Sequence, residues 1–372
     1  MSEYQYYEFR AIDRPLTPDE MSAVGRLSSR VDLSPRHAKF VYNYSDLPTS
    51  VEKLLAKYFD AMFYIANWGS CQLMFRFPRQ AVDLAEMRTY CQPMIIEEFM
   101  SISVEGDYVI LNMQWHEEAP EWGWIEGENW LPQLLPLRDD LLRGDYRLLY
   151  LAWLKATELE DMLDSVTEPV VPSGLRQLSP PLQTFIELFD LDPYLVSAAA
   201  QAGGAPVSIS DVQLRRAIAQ LSPEMQAQWL LRLAQGEAQL ATAFNQTLMK
   251  LIDLPQTSPA LPRTLGDLWA AADEIGQAAA VQAAAEAEAK HLKKMETLAA
   301  REDQLWQEII TLIEQKNGRA YDRAVAHLRD LSELARHKNE EAQFQARLNS
   351  IHRDYGRLSA LIRRLRSAGL GF

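Results

Sequence analysis

Three apolar stripes at helical spacing near the C-terminal end constrain this chain more than any other feature. Leu292, Met295, Leu298, Leu305, Ile309 and Leu312 form the first, and Tyr321, Val325, Leu328, Leu331 and Leu334 the second. Phe344, Leu348, Ile351, Tyr355, Leu358, Ile362 and Leu365 form the third. Side chains three and four positions apart share one face of an α-helix, so each stripe predicts an amphipathic helix with a packing seam. Asn317-Gly318 separates the first two stripes and is expected to end a helix with a residue in the left-handed conformation. Short connections imply antiparallel neighbours, so the segment is expected to form a helical hairpin or three-helix bundle with a coiled-coil-like seam. Residues 278–289 are rich in alanine, which favours helix but buries little, so they are expected to form an exposed arm.

The first half of the chain has a different period. Residues 1–166 read as an α+β domain with trailing helices. Residues 4–12 are aromatic and extended. Thr17-Pro18-Asp19-Glu20 then supplies an N-cap, a proline at N1 and a glutamate at N3 for a helix carrying Met21, Val24 and Leu27. Residues 39–44 read as a strand and residues 50–58 as an amphipathic helix. Two hairpins follow: 62–66 with 71–77 around Asn67-Trp68-Gly69-Ser70, and 99–104 with 108–115 around Glu105-Gly106-Asp107. The expected result is a small sheet with helices on one face. From Leu131 to Met162 leucines recur at helical intervals, and the prolines of 168–174 read as a linker. Residues 175–253 are expected to be a small helical domain, with Ser179-Pro180 and Ser222-Pro223 opening helices. A second linker at 254–262 leads to a helical tail over 264–372. The predicted fold is therefore an α+β N-terminal domain followed by mostly α structure.

Charge is unevenly distributed. Residues 101–200 carry 5 Lys/Arg against 18 Asp/Glu, whereas residues 316–372 carry 12 against 6, in a chain of formal net charge -14. The acidic balance opposes general coating of nucleic acid, but it leaves room for a local basic contact at the tail. Cys71 and Cys91 alone, in 372 residues, suggest a reducing compartment. The start MSEYQYYEFR lacks the basic and apolar regions of a signal peptide, and no apolar run approaches the ~18 residues of a membrane span. The expectation is a cytoplasmic protein with no membrane partner.

Few residues suggest chemistry. His116-Glu117-Glu118 ends a predicted strand, and a histidine beside two carboxylates can serve as general base or metal ligand. The bland alternative is a solvated strand end, and a helical metal site would need a second histidine where Pro120 stands. Cys91 with His37 or His116 has no local signature, and Cys71 and Cys91 lack the spacing of a zinc site, so neither a metal nor a cofactor is expected. Gly203-Gly204 lacks the residues of a phosphate-binding loop. Trp122, Trp124 and Trp130 lie in an acidic loop and could stack on a ligand, anchor an interface or cover the sheet. Arg353, Arg357, Arg363, Arg364 and Arg366 could contact phosphate, favour the helix C-terminus through its dipole, or pair with acidic residues of the same chain.

Three blocks carry a resemblance. Tyr6-Tyr7-Glu8-Phe9-Arg10-Ala11-Ile12-Asp13-Arg14-Pro15-Leu16-Thr17 is the first. Tyr58-Phe59-Asp60-Ala61 running on to Ala66-Asn67-Trp68-Gly69 is the second, and Glu168-Pro169 through Pro172-Ser173-Gly174-Leu175 with Leu178-Ser179 the third. Together they resemble a family of bacterial hypothetical proteins that carries no activity over to these residues. The segment 306–365, with Tyr321-Asp322-Arg323-Ala324-Val325, resembles a helical segment of bacterial SWIM zinc-finger proteins. Their closely spaced cysteines followed by Cys-x-His are absent here, so the resemblance implies a shared docking module or a shared genomic setting, and no zinc ligand.

The expected function is a non-catalytic interaction or scaffold subunit of a bacterial cytoplasmic multi-protein system, docking a helical protein through the tail. One alternative is a nucleic-acid-associated subunit using the terminal arginines, and another is a hydrolase or metal enzyme centred on His116. The helical seams leave self-association open.

Overall fold

The computed structural model describes residues 4–92, 99–116, 127–159, 163–204, 210–236, 240–249, 251–252 and 262–370. The chain divides into two compact units, Met1–Gly276 and Gln277–Phe372.

The first unit is built on a seven-stranded antiparallel sheet. In chain order its elements begin β1 (Gln5–Arg10), α1 (Pro18–Gly25), β2 (Asp32–Ser34), β3 (His37–Tyr42), α2 (Val51–Tyr58), β4 (Ala61–Ala66), β5 (Ser70–Pro78), α3 (Leu84–Thr89), β6 (Met100–Glu105) and β7 (Tyr108–His116). The strand order is β2-β3-β1-β4-β5-β7-β6. Both expected hairpins are present, turning at Gly69 (φ 95°) and Gly106 (φ 61°), where a side chain would be strained. The capping box at Thr17 and Glu20 starts α1 as its sequence predicts. β2 was not expected from the sequence. It is three residues long and joins β3 through Pro35-Arg36.

Helices cover both faces of the sheet, not one. Alternation sends Tyr7, Phe9, Phe40, Met62 and Met74 to a core shared with Leu54 and Leu55 of α2 and Val24 of α1. It sends Phe63, Ile65, Leu73, Phe75, Leu111 and Met113 to the opposite, larger core. Strands buried on both faces show near-continuous apolar runs, which is how β4 and β5 read.

The larger core reaches far along the chain. α4 (Trp130–Leu134), α5 (Pro136–Leu142) and α6 (Arg147–Leu159) cover it, and so do α7 (Pro180–Leu188) and α8 (Pro193–Ala202). The helices expected to start a separate domain at 175 therefore complete the core of the sheet, since Leu182, Phe185, Phe189 and Leu195 are buried there. α9 (Asp211–Gln220), α10 (Pro223–Ala234) and α11 (Leu240–Met249) gather around a much smaller cluster of Ala217, Leu221 and Leu248. α12 (Leu265–Ala300) returns Leu265, Leu268 and Ala272 to the sheet's core. The tail expected from residue 264 thus begins inside the first unit. Gly266 lies against Asp164, where an added Cβ would stand 2.9 Å from the aspartate Cβ.

Two ionic locks, each around a buried carboxylate, tie this unit together. Asp60 accepts from Arg76 Nη2 (2.7 Å) and Nε (3.3 Å), and from the backbone N–H of Ile12 (2.7 Å) and Asp13 (3.0 Å). Arg138, also buried, donates to the Arg76 carbonyl (2.9 Å) and to Asp13 (2.9 Å). In the second lock, Arg263 donates to both oxygens of Glu168 (2.7 and 2.6 Å), and Glu168 also accepts from the buried Tyr150 hydroxyl. Glu168, read in the sequence as linker, is thereby fixed in place.

The second unit is helical throughout its described residues. The end of α12 leads to α13 (Glu302–Glu314), α14 (Gly318–Lys338), α15 (Glu341–Tyr355) and α16 (Ser359–Ser367). All three stripes feed one core, which holds Leu305, Ile309, Leu328, Leu331, Leu348 and Leu365, while Leu292 of the first stripe is exposed. The third stripe divides between α15 and α16. Asn317 does not end α13. It adopts extended geometry and caps α14, its Oδ1 accepting from Ala320 N–H (2.9 Å), while Lys316 takes the positive φ of 53°. Residues 278–289 are helical and almost wholly exposed. Among the described residues, no helix is long and apolar enough to cross a membrane.

Candidate functional site

The C-terminal helices build a cationic end. Leu361 and Leu365 are buried, so they fix the rotation of α16 and leave Arg363 and Arg366 in solvent. Arg364, between them, donates through Nε to Asp322 of α14 (2.6 Å) and through Nη1 to the Ala360 carbonyl (3.1 Å). Its Nη2 lies 3.2 Å from where a Cβ on Gly318 would stand, so the guanidinium rests against the first turn of α14. This contact brings the start of α14 and α16 together, and the cations nearest it in sequence are Lys316 before the α14 cap, Arg319 and Arg323 of α14, and Arg363 and Arg366 of α16, all exposed. Asp322 is the one acidic side chain within 315–329, and residues 355–372 hold none. Arg357 is also exposed, whereas Arg353 pairs with its neighbour Asp354 (3.1 Å). Among the described residues, none of Lys316, Arg319, Arg323, Arg357, Arg363 and Arg366 makes an ion pair. The α14 N-terminus adds the positive end of its dipole.

Charge differs sharply between the two units. Residues 277–372 hold 16 Lys/Arg against 13 Asp/Glu, while residues 1–276 hold 21 against 38. The sequence singled out the arginines of α16. It did not single out Arg319 and Arg323, which lie some forty residues earlier and join the patch only through tertiary packing.

The other candidates fare differently. His116 is exposed at the end of β7, with Nδ1 3.0 Å from Ser70 Oγ, and Ser70 Oγ also accepts from Trp68 Nε1 (3.1 Å). Glu117, Glu118, Trp122 and Trp124 lie outside the described residues. Trp130 is half-buried at the start of α4 and packs against the sheet's core. Cys71 and Cys91 are both buried, and burial pushes the Cys71 thiol up, away from the reactive thiolate. His37, the base considered for Cys91, instead faces Glu8. Among the described residues, no group of three His, Cys, Asp or Glu is arranged to hold a metal ion.

A second polar cluster escaped the sequence reading. Glu8 is 2% exposed on the larger-core face of β1. It accepts from the Tyr6 hydroxyl (2.9 Å), from Arg10 Nη2 (2.7 Å) and from His37 Nε2 (3.2 Å). Burial alone would raise its carboxyl, but the hydrogen bonds from His37, Tyr6 and Arg10 outweigh it and hold the group below the ordinary carboxylate range. The alternation of β1 carried the signal, since a glutamate stands where an apolar residue would face the core. A carboxyl depressed in the folded state stabilises the fold above its unfolded value, and that contribution disappears as pH falls through the folded value. Glu8→Gln should therefore cost about 2 kcal/mol at neutral pH, with the gap from wild type closing under acid. Urea midpoints between neutral and acidic pH test this, and a gap that stays constant would refute the assignment.

No family model matches the chain, and neither does any curated protein or solved structure.

Proposed function

We propose that this chain is a non-catalytic interaction subunit that docks an acidic protein partner through the cationic end formed by α14 and α16. The observation that carries the reading is the set of exposed, unpaired cations around Arg364 and Asp322. Apart from the exposed Leu292, the apolar stripes of the same unit pack into its own core, so among the described residues they leave little seam for a partner helix. Recognition there rests on charge, which steers encounter and fixes register more than it adds affinity. Arginine suits the role because its planar fork meets a carboxylate through two parallel hydrogen bonds. An acidic protein is favoured over nucleic acid because the chain as a whole, at -14, repels an extended polyanion.

The test is recovery of the full-length chain from its native cells beside a variant carrying Arg319→Ala, Arg323→Ala, Arg363→Ala and Arg366→Ala. All four positions are exposed, so the melting temperature should hardly move. A stoichiometric acidic protein should accompany the wild type, bind about 10- to 100-fold more weakly to the variant, and dissociate as salt rises. Nucleic acid recovered in its place, or a protein partner indifferent to the four substitutions, would overturn the proposal.

A further inference from the structure

We infer that α10 is a self-association element, pairing antiparallel with α10 of a second copy of this chain about a two-fold axis that passes between Leu230 and Leu231. Among the described residues, α10 packs on α11 and on the end of α9. Trp229 packs on Phe244 of α11 with ring centroids 5.1 Å apart, and Gln226 Nε2 donates to the carbonyls of Ile218 and Leu221, both at 3.0 Å. At 3.6 residues per turn, Ala227, Leu230, Leu231 and Ala234 form a stripe centred about 150° from Trp229, with Glu224 at its margin. A solvent-facing helix side ordinarily carries charge. Here Leu230 is 66% exposed and Leu231 59%, and Leu233 on the flank is 65% exposed.

The order of residues selects a second copy as the occupant. Ala227-x-x-Leu230-Leu231-x-x-Ala234 reads the same in both directions. An antiparallel copy therefore sets Leu230 against Leu231 and Ala227 against Ala234, so bulky residues interlock at the centre while small ones allow close approach at both ends. A two-fold interface sets residue i on j and j on i, and here that pairing matches leucine with leucine and alanine with alanine. Neither leucine meets a charge across the axis, because the central stripe has none. The one acid and one base of α10, Glu224 and Arg232, balance each other, so the pairing brings no net charge together. A helix of 12 residues buries less than the ~800 Å² per partner of a standard interface, so the association should be weak and reversible.

Sedimentation of the full-length chain from ~5 to ~500 μM should show a monomer–dimer equilibrium in the micromolar range. Raising salt should strengthen it, because each copy carries -14 and screening relieves their repulsion; the acidic partner proposed for the second unit responds in the opposite sense. Leu230→Glu should shift the equilibrium to monomer by 100-fold or more at an unchanged melting temperature. Geometry is tested by oxidising mixed Ala227→Cys and Ala234→Cys chains. The mixture should cross-link 227 to 234, while each variant alone cross-links little and the wild type, whose two cysteines are buried, not at all. A chain that stays monomeric throughout, a dimer indifferent to Leu230→Glu, or cross-linking of 227 to 227 would each overturn the inference.

Discussion

A chain cut after residue 276 should melt cooperatively, whereas one cut after residue 262 should not. The fourteen residues between the cuts supply Leu265, Leu268 and Ala272 to the sheet's core and Arg263 to Glu168. They also close three backbone bonds: Leu265 N–H to Val166 (2.8 Å), Gly266 N–H to Asp164 (3.0 Å), and Glu168 N–H to Arg263 (2.9 Å). Removing a fully buried leucine forfeits about 1.5–3 kcal/mol of transfer energy. Stripping the cation from a buried carboxylate costs about 3–5 kcal/mol more. Together these losses rival the ~5–15 kcal/mol by which a whole domain is stable. Calorimetry of the two truncations decides the matter, and Arg263→Met in the full chain should by itself cost about 3 kcal/mol. A 262-residue fragment melting as high and as sharply as the 276-residue one would show that α12 merely lies on this core.

Asp60→Ala should be among the most damaging single substitutions in the chain, costing about 4 kcal/mol or more. Asp60 is 1% exposed, and both of its oxygens are occupied. Without it, the Arg76 guanidinium keeps, among the described residues, the Ala56 carbonyl (2.7 Å) and the face of Tyr108, while two backbone N–H groups lose their acceptor. Adding Arg76→Met should recover part of the loss, because the uncompensated charge goes with it. Denaturant midpoints of both single variants and the double variant complete a cycle with coupling of about 2 kcal/mol. Strict additivity would mean that the pair contributes no lock.

Local chemistry was legible in the sequence, and distant packing was not. The hairpins around Gly69 and Gly106 and the capping box at Thr17 depend on neighbours within a few positions, so their residues announce them. β2 went unseen because three residues show no period. Aromatic residues at consecutive positions of β1, Tyr6 with Tyr7, were a usable sign that the sheet is covered on both faces. Nothing local in α7 or α8 says which surface receives Phe185 or Leu195. Asn317-Gly318 misled because asparagine both caps helix starts and tolerates the left-handed conformation at helix ends. At the cationic end, the arginines of α16 were visible as composition. Their juxtaposition with Arg319 and Arg323 required Arg364 to find Asp322 across 42 residues.

The reach of the larger core also sets a timetable for synthesis. All seven strands have left the ribosome once residue 116 is clear of the exit tunnel, and every strand pairing joins segments within that stretch. The core that Phe75, Leu111 and Met113 help to form is completed only when Leu265, Leu268 and Ala272 follow. At ~5–20 residues per second, that delay is about 8–30 s. Throughout it a nascent sheet holds part of its apolar face open, so this chain asks more of holding chaperones than its composition suggests.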